Sequence, residues 1–232
     1  MSSIFTTPDA EIAVIAGTAF LLALGFQLFR LGIILSYPLR FFITIIHELG
    51  HGVAAVLTGG EFSHFQLYLD TSGLAGFRGG WRFVVLPAGY VGTAVMGTAL
   101  ILFTGIPGAA PIVLGGLGIL IVLLVIAFGR TSLTTIVGGL GAGIIVFLIG
   151  WYGGESWSLF FISLLAFYGS FQAISDLRHL AWLDQHGFPF KNDAADMAAH
   201  YGCSASIWAW LWTFFSFAMV CGAMWFVWFR EI

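Results

Sequence analysis

Two histidines four residues apart, with a glutamate beside the first (His47-Glu48-Leu49-Gly50-His51), sit inside the apolar run from Ile45 to Val53. On an α-helix, residues four apart share one face, so both imidazoles can hold a single ion. Glu48 then stands close enough to take a proton from a water on that ion. This is the HExxH arrangement, in which zinc makes hydroxide available near neutral pH and the carboxylate is the general base. A carboxylate in an apolar membrane segment costs at least ~2.5 kcal/mol. Only 8% of the chain is Asp, Glu, Lys or Arg, so these three groups need a purpose or a partner. The blander alternative is a polar knot joining helices, with Glu48 accepting hydrogen bonds from its neighbours.

The rest of the chain says what must position them. It has 232 residues, 59% hydrophobic, and its mean hydropathy is +1.00, which lies outside the soluble norm. Apolar runs of about 20 residues match the ~30 Å of hydrocarbon a helix must cross. Seven such runs lie near 11–36, 40–58, 83–104, 110–129, 132–151, 157–180 and 204–229. The expected fold is an all-α polytopic membrane protein, a single domain over 1–232 with six to seven transmembrane helices. The first run lacks a basic n-region and follows acidic Asp9 and Glu11, so it reads as a retained span rather than a cleaved signal. Glycines in GGLG (115–118) and GGLGAG (138–143) read as helix packing. Cys203 and Cys221 form neither a disulfide framework nor a thiolate metal set. The net charge of −3 gives no ground for a nucleic-acid partner. The nine Trp and 24 Phe read as lipid-facing surface and interfacial belt, and Arg30 in the first run as a snorkelling charge.

Two polar connections interrupt the spans. In the first, residues 59–80, Phe65, Leu67 and Leu69 alternate with Gln66, Tyr68 and Asp70, and Asp70-Thr71-Ser72-Gly73 is turn chemistry. That pattern predicts a small membrane-associated β-hairpin. The second, residues 181–203, carries Asp184, His186, Lys191, Asn192, Asp193, Asp196 and His200, and its NDAADMAAH segment predicts a short capped helix. His64, His179, His186 and His200 lie in or beside these connections, where a solvated histidine is the ordinary outcome. With seven alternating spans, Arg78, Arg82, Arg130, Arg178 and Lys191 fall on the N-terminal side and Arg30, Arg40 and Arg230 on the other. Five against three places the N terminus in the cytoplasm.

The stretch FFITIIHELGHGVAAVLTGG resembles the active-site helix of the site-2-protease family of intramembrane zinc metalloproteases, most of all its short bacterial members without a PDZ domain. The hairpin after the motif is similar to that family's membrane-associated β-element. LPAGYVGTAVMG (Leu86 to Gly97) is similar to its small-residue helix, usually written with AGP. The resemblance covers residues 40–100 well and 176–200 loosely. It implies a third zinc ligand, an aspartate from a later helix in an asparagine-proline segment ending Leu-Asp-Gly, and an asparagine that helps to position substrate. This chain has no such segment, and Asn192 is its only asparagine. Two aspartates stand for the third ligand. Asp193 in NDAADMAAH matches a Ser/Asn-Asp-Ala pattern of short members, and it also fits an N-cap with Asp196 completing a capping box. Asp176 in QAISDLRHL ends the sixth run, and it also fits an interfacial residue paired with Arg178 or His179. Asp70 in the turn is a remoter candidate. A His₂-carboxylate set suits catalytic zinc in either case.

The implied reaction is hydrolysis of a peptide bond in or near a transmembrane segment, with Glu48 as the base and His47, His51 and one aspartate on zinc. A helical substrate must unwind to expose such a bond, and the hairpin edge carrying Phe65, Leu67 and Leu69 offers a place for the extended strand. Expected partners are a membrane-protein or peptide substrate, the bilayer, and other membrane subunits; the expected location is the bacterial inner membrane. Two other classes fit less well. A non-catalytic protease-like subunit of a larger complex would keep this fold, because fold does not secure activity. A transporter or channel would show ionisable residues on several spans and related halves, and the chain shows one cluster and no repeated halves.

Overall fold

A computed structural model describes residues 10–186 and 192–229. Lys191 and Arg230, which enter the orientation count, and Asp9, which precedes the first run, lie outside the described residues, as do the side chains of His179 and Asp184. The elements are α1 (Ala10–Leu28), α2 (Arg30–Leu35), α3 (Tyr37–Leu57), β1 (Glu61–Leu67), β2 (Gly73–Arg78), α4 (Arg82–Val85), α5 (Ala88–Thr104), α6 (Ala109–Phe128), α7 (Leu133–Tyr152), α8 (Gly154–Gln185), α9 (Asp193–Tyr201) and α10 (Ala205–Met224), followed by a π-helical turn, Trp225–Phe229. Among the described residues, six helices are long and apolar enough to cross a membrane: α1, α3, α6, α7, α8 and α10. α5 is a shorter apolar helix of 17 residues. The chain is an integral, multi-pass membrane protein, and among the described residues its one sheet is a two-stranded antiparallel hairpin.

The first apolar run is not one span. Phe29 is extended (φ −112°, ψ 139°) and ends α1. Beyond it the chain folds back so tightly that a Cβ on Gly32 would lie 2.6 Å from the Phe26 Cα, so only glycine fits this crossing. The reversal breaks the strict alternation that the sequence count assumes. α1 lies beside α8 in the same direction: Ser156 Oγ donates to Glu11 at 3.1 Å, Phe20 meets Phe167 edge-on at 5.3 Å, and Gln27 Nε2 donates to Gln172 Oε1 at 3.2 Å. α3 then begins beside the middle of α8, where the Tyr168 hydroxyl donates to Ser36 Oγ at 3.0 Å. At 1.5 Å per residue, Tyr168 stands roughly 20 Å along α8 from its start.

The bundle therefore has two distinct ends. Glu11, Ser156 and Glu155 meet at one, where Glu155 also accepts from the Gly108 N–H at 3.3 Å. The hairpin, the α6–α7 connection, α4 and α9 gather at the other, with Arg82 bonded to His200. α6 and α7 pack through glycine, since a Cβ on Gly118 would fall 2.6 Å from the Gly143 carbonyl oxygen. Such close approach substitutes for the hydrophobic drive that is absent between helices in lipid.

The hairpin pairs Glu61 with Arg78, Phe65 with Ala75 and Leu67 with Gly73, with an irregularity between Phe62 and His64. It lies against α3: Tyr37 Oη donates to the Leu69 carbonyl at 2.8 Å and Thr44 Oγ1 to that of Thr71 at 2.7 Å. The β1 edge of the hairpin is covered. Phe65 and Leu67 are 0% and 1% exposed and belong to the main core. The backbone of their strand is already bonded on its outer side, with Thr131 Oγ1 donating to the Phe65 carbonyl (2.8 Å) and the Leu67 N–H donating to Thr135 Oγ1 (2.9 Å). Leu69 is 74% exposed and lies beyond β1, in the turn. Among the described residues no other strand pairs with β2, so the open edge is that of Gly73–Arg78.

Candidate metal centre

α3 presents the motif as its spacing demands. His47 and His51 occupy one face, with their rings edge to face at 4.8 Å and their Nε2 atoms 3.2 Å apart. Each ring is set by a neighbour. His51 Nδ1 lies 2.8 Å from the Val85 carbonyl at the end of α4. A proton on Nδ1 donated to that oxygen leaves the Nε2 lone pair facing His47, the usual way an outer partner fixes a ligand tautomer. His47 packs edge-on against the Tyr90 ring at 4.5 Å. The floor is Gly89, where a Cβ would overlap His47 and lie 2.6 Å from His51 Nε2. Gly89→Ala is accordingly expected to push both imidazoles apart and strip bound metal while leaving the helices folded. Metal content and circular dichroism of the purified variant check this.

The third member arrives from the other end of the sequence. Asp193 Oδ2 lies 3.3 Å from His47 Nε2 and 3.3 Å from His51 Nε2. Asn192, not Asp193, caps α9, its side-chain oxygen accepting from the Ala195 N–H at 2.9 Å. That leaves the Asp193 carboxylate free of capping duty and pointing at the imidazoles. The helix is seated by Ala194 and Met197, both fully buried against Leu86, Leu177 and Trp212. Burial alone would raise the Asp193 carboxyl. The His51 and His47 imidazoles outweigh it and hold the group well below the usual carboxylate range, so it is available as an anion.

His47, His51 and Asp193 thus form a triangle of donor atoms with edges of 3.2, 3.3 and 3.3 Å. A tetrahedral ion with bonds of ~2.0–2.1 Å has ligand–ligand edges of about 3.3–3.4 Å. The donor set, two imidazoles and one carboxylate, therefore fits one such ion. Glu48 is 5% exposed. It projects toward the hairpin, where a Cβ on Gly73 would overlap its carboxylate. The first residue of the open strand β2 is thus in contact with the candidate base.

Other candidates stand elsewhere. Asp176 accepts from Gln172 Nε2 at 2.7 Å and is not part of the triangle. Asp70 is engaged in its own turn by the Ser72 N–H (2.9 Å) and hydroxyl (2.7 Å), which hold its carboxyl below its ordinary value. His64 contacts Ser63 Oγ, His186 the Trp182 carbonyl, and His200 the Asp196 carbonyl and Arg82. Arg30 is exposed at the start of α2, and Cys203 and Cys221 are free. Reading the sequence for chemistry missed Tyr90, Gly89, Gly73 and the Val85 carbonyl. The first two lie inside LPAGYVG, where the signal was only similarity of the segment, and a backbone carbonyl carries no residue signal.

A family model described as Peptidase M50B-like matches residues 13–223. Comparison with curated proteins and with solved structures returns no match.

Proposed function

Because the chain belongs to the Peptidase M50B-like family, we propose that it is an intramembrane zinc metalloprotease that hydrolyses peptide bonds in or near transmembrane segments. One observation carries the reading. Donors from α3 and α9, far apart in sequence, close to a triangle of tetrahedral dimensions beside a buried glutamate. His47, His51 and Asp193 would hold the ion. Zinc held there supplies Lewis acidity and lowers the pKa of water toward ~7.

The protein's own groups do the remaining work. The Glu48 carboxylate accepts the proton of the attacking water and returns it to the leaving amine. The outer edge of β2 receives the unwound substrate as an added strand, in place of the Phe65–Leu69 edge expected from the sequence. Two features support this. Gly73 brings that strand against Glu48. In addition, non-helical backbone alongside a membrane-spanning helix persists only where protein covers it or water reaches it, and the open edge of β2 needs one or the other.

Charge supports an orientation. Arg78, Arg82 and Arg130 lie at the hairpin end, and Glu11 and Glu155 at the end where α1 begins. The positive-inside rule then puts the hairpin end in the cytoplasm and the Ala10 end on the far side. This proposed orientation is the opposite of the cytoplasmic N terminus expected from strict alternation. The bacterial inner membrane is the proposed setting.

Producing Glu48→Gln in place of the wild type in cells that carry the protein tests the function. Membrane proteomics is expected to show full-length single-pass proteins accumulating and their truncated forms disappearing. An unchanged membrane proteome, with the variant correctly inserted, would instead favour a non-catalytic subunit of a larger complex.

A further inference from the structure

Tyr90 is placed as more than packing. Its ring is held between two others, edge-on to His47 at 4.5 Å and stacked on Trp212 of α10 at 6.1 Å. It directly follows Gly89, the residue on which both imidazoles rest. The other polar side chains of the site are the two imidazoles and the carboxylates of Asp193 and Glu48. Carboxylates accept hydrogen bonds, whereas a phenol, with an ordinary pKa near ~10, brings a proton to donate. Peptide hydrolysis places a growing negative charge on the scissile carbonyl oxygen, and a fixed neutral donor is the group that stabilises it. The resemblance implies an asparagine that positions substrate, but the side-chain oxygen of the chain's only asparagine, Asn192, is committed to capping α9.

We propose that the Tyr90 hydroxyl donates a hydrogen bond to the scissile carbonyl oxygen of the bound peptide, while its ring holds His47 in place. The hydroxyl thus takes up part of the role for which the resemblance requires an asparagine. The inference rests on the protease reading and deepens it. It separates two contributions that a single alanine substitution would merge. The ring supports the metal set, and the hydroxyl strengthens its bond only as the carbonyl oxygen gains charge.

The test uses full-length protein in detergent, loaded with zinc or cobalt, and two probes. One is a peptide phosphinate, whose tetrahedral anion mimics the charged oxygen; the other is a cleavable transmembrane peptide. Tyr90→Phe is expected to keep one metal per chain and an unchanged cobalt absorption spectrum. It should bind the phosphinate about 100-fold more weakly and turn the peptide over about 100-fold more slowly, with KM little changed. Tyr90→Ala should lose metal affinity as well. Wild-type behaviour of Tyr90→Phe toward both probes would overturn the proposal. So would a loss in Tyr90→Phe that tracks its metal content, which would make the residue structural. A metal-loaded wild type that neither binds the phosphinate nor cleaves the peptide would instead sink the protease reading, and this inference with it.

Discussion

Asp193→Ala is expected to lose bound zinc, with affinity falling by about 100-fold or more, while Asp176→Asn keeps it. The sequence favours Asp193 slightly and keeps Asp176 as the alternative, and the geometry separates them. Asp193 Oδ2 is 3.3 Å from both imidazole nitrogens, whereas Asp176 is tied to Gln172 along α8. Removing Asp193 leaves two Nε2 atoms 3.2 Å apart with no anion to complete the set. Outer-shell partners of a metal typically contribute ~10–100-fold in affinity, so a direct ligand should exceed that range. In Asp176→Asn the side-chain oxygen can still accept from Gln172, so the fold around α8 is preserved. Competition with a fluorescent zinc chelator, run on both variants in parallel, measures the difference. Equal loss from both would mean that α9 is not where the third donor comes from.

The second large effect is on turnover. Glu48→Gln keeps the size and shape of the side chain and removes only its capacity to take a proton. Proton transfer by a placed side chain contributes typically ~10²–10⁴-fold, and cleavage should slow by that factor with zinc content unchanged. Because Glu48 is 5% exposed and abuts Gly73, a glutamine there should also leave peptide binding to β2 intact. Steady-state kinetics with a transmembrane peptide, together with a pull-down of the uncleaved peptide, separates the two. A variant that cleaves at wild-type rate would remove Glu48 from the chemistry.

How much of this was legible follows from what a linear pattern can encode. The four-residue spacing of His47 and His51 specifies a shared helical face, and the period-2 alternation through Phe65 and Leu67 specifies a strand, which ends before Leu69. The hydropathy runs and the resemblance over 40–100 led to the membrane fold and the family. What remained illegible is relational. Alternation assigns side chains to a face of the hairpin, but which edge is open depends on Thr131 of the α6–α7 connection and Thr135 of α7 reaching β1. The run 11–36 is apolar without interruption, and its reversal becomes visible only where Gly32 packs on Phe26. Asp193 offered a cap and a ligand at once, and its position follows from Asn192 taking the cap. Tyr90 differs from the usual AGP segment by one residue, and nothing in its neighbours along the chain reveals the imidazole beside it.

The most direct test of the central claim is hydrolysis itself. Zinc-loaded wild-type protein, reconstituted in lipid, would be incubated in H₂¹⁸O with a pool of transmembrane peptides containing helix-breaking residues, and the products read by mass spectrometry. The account predicts paired fragments cut within or at the edge of the apolar segment, with ¹⁸O in the newly formed carboxylate and no fragments from Glu48→Gln. Intact peptides throughout, from a protein carrying one zinc per chain, would contradict it.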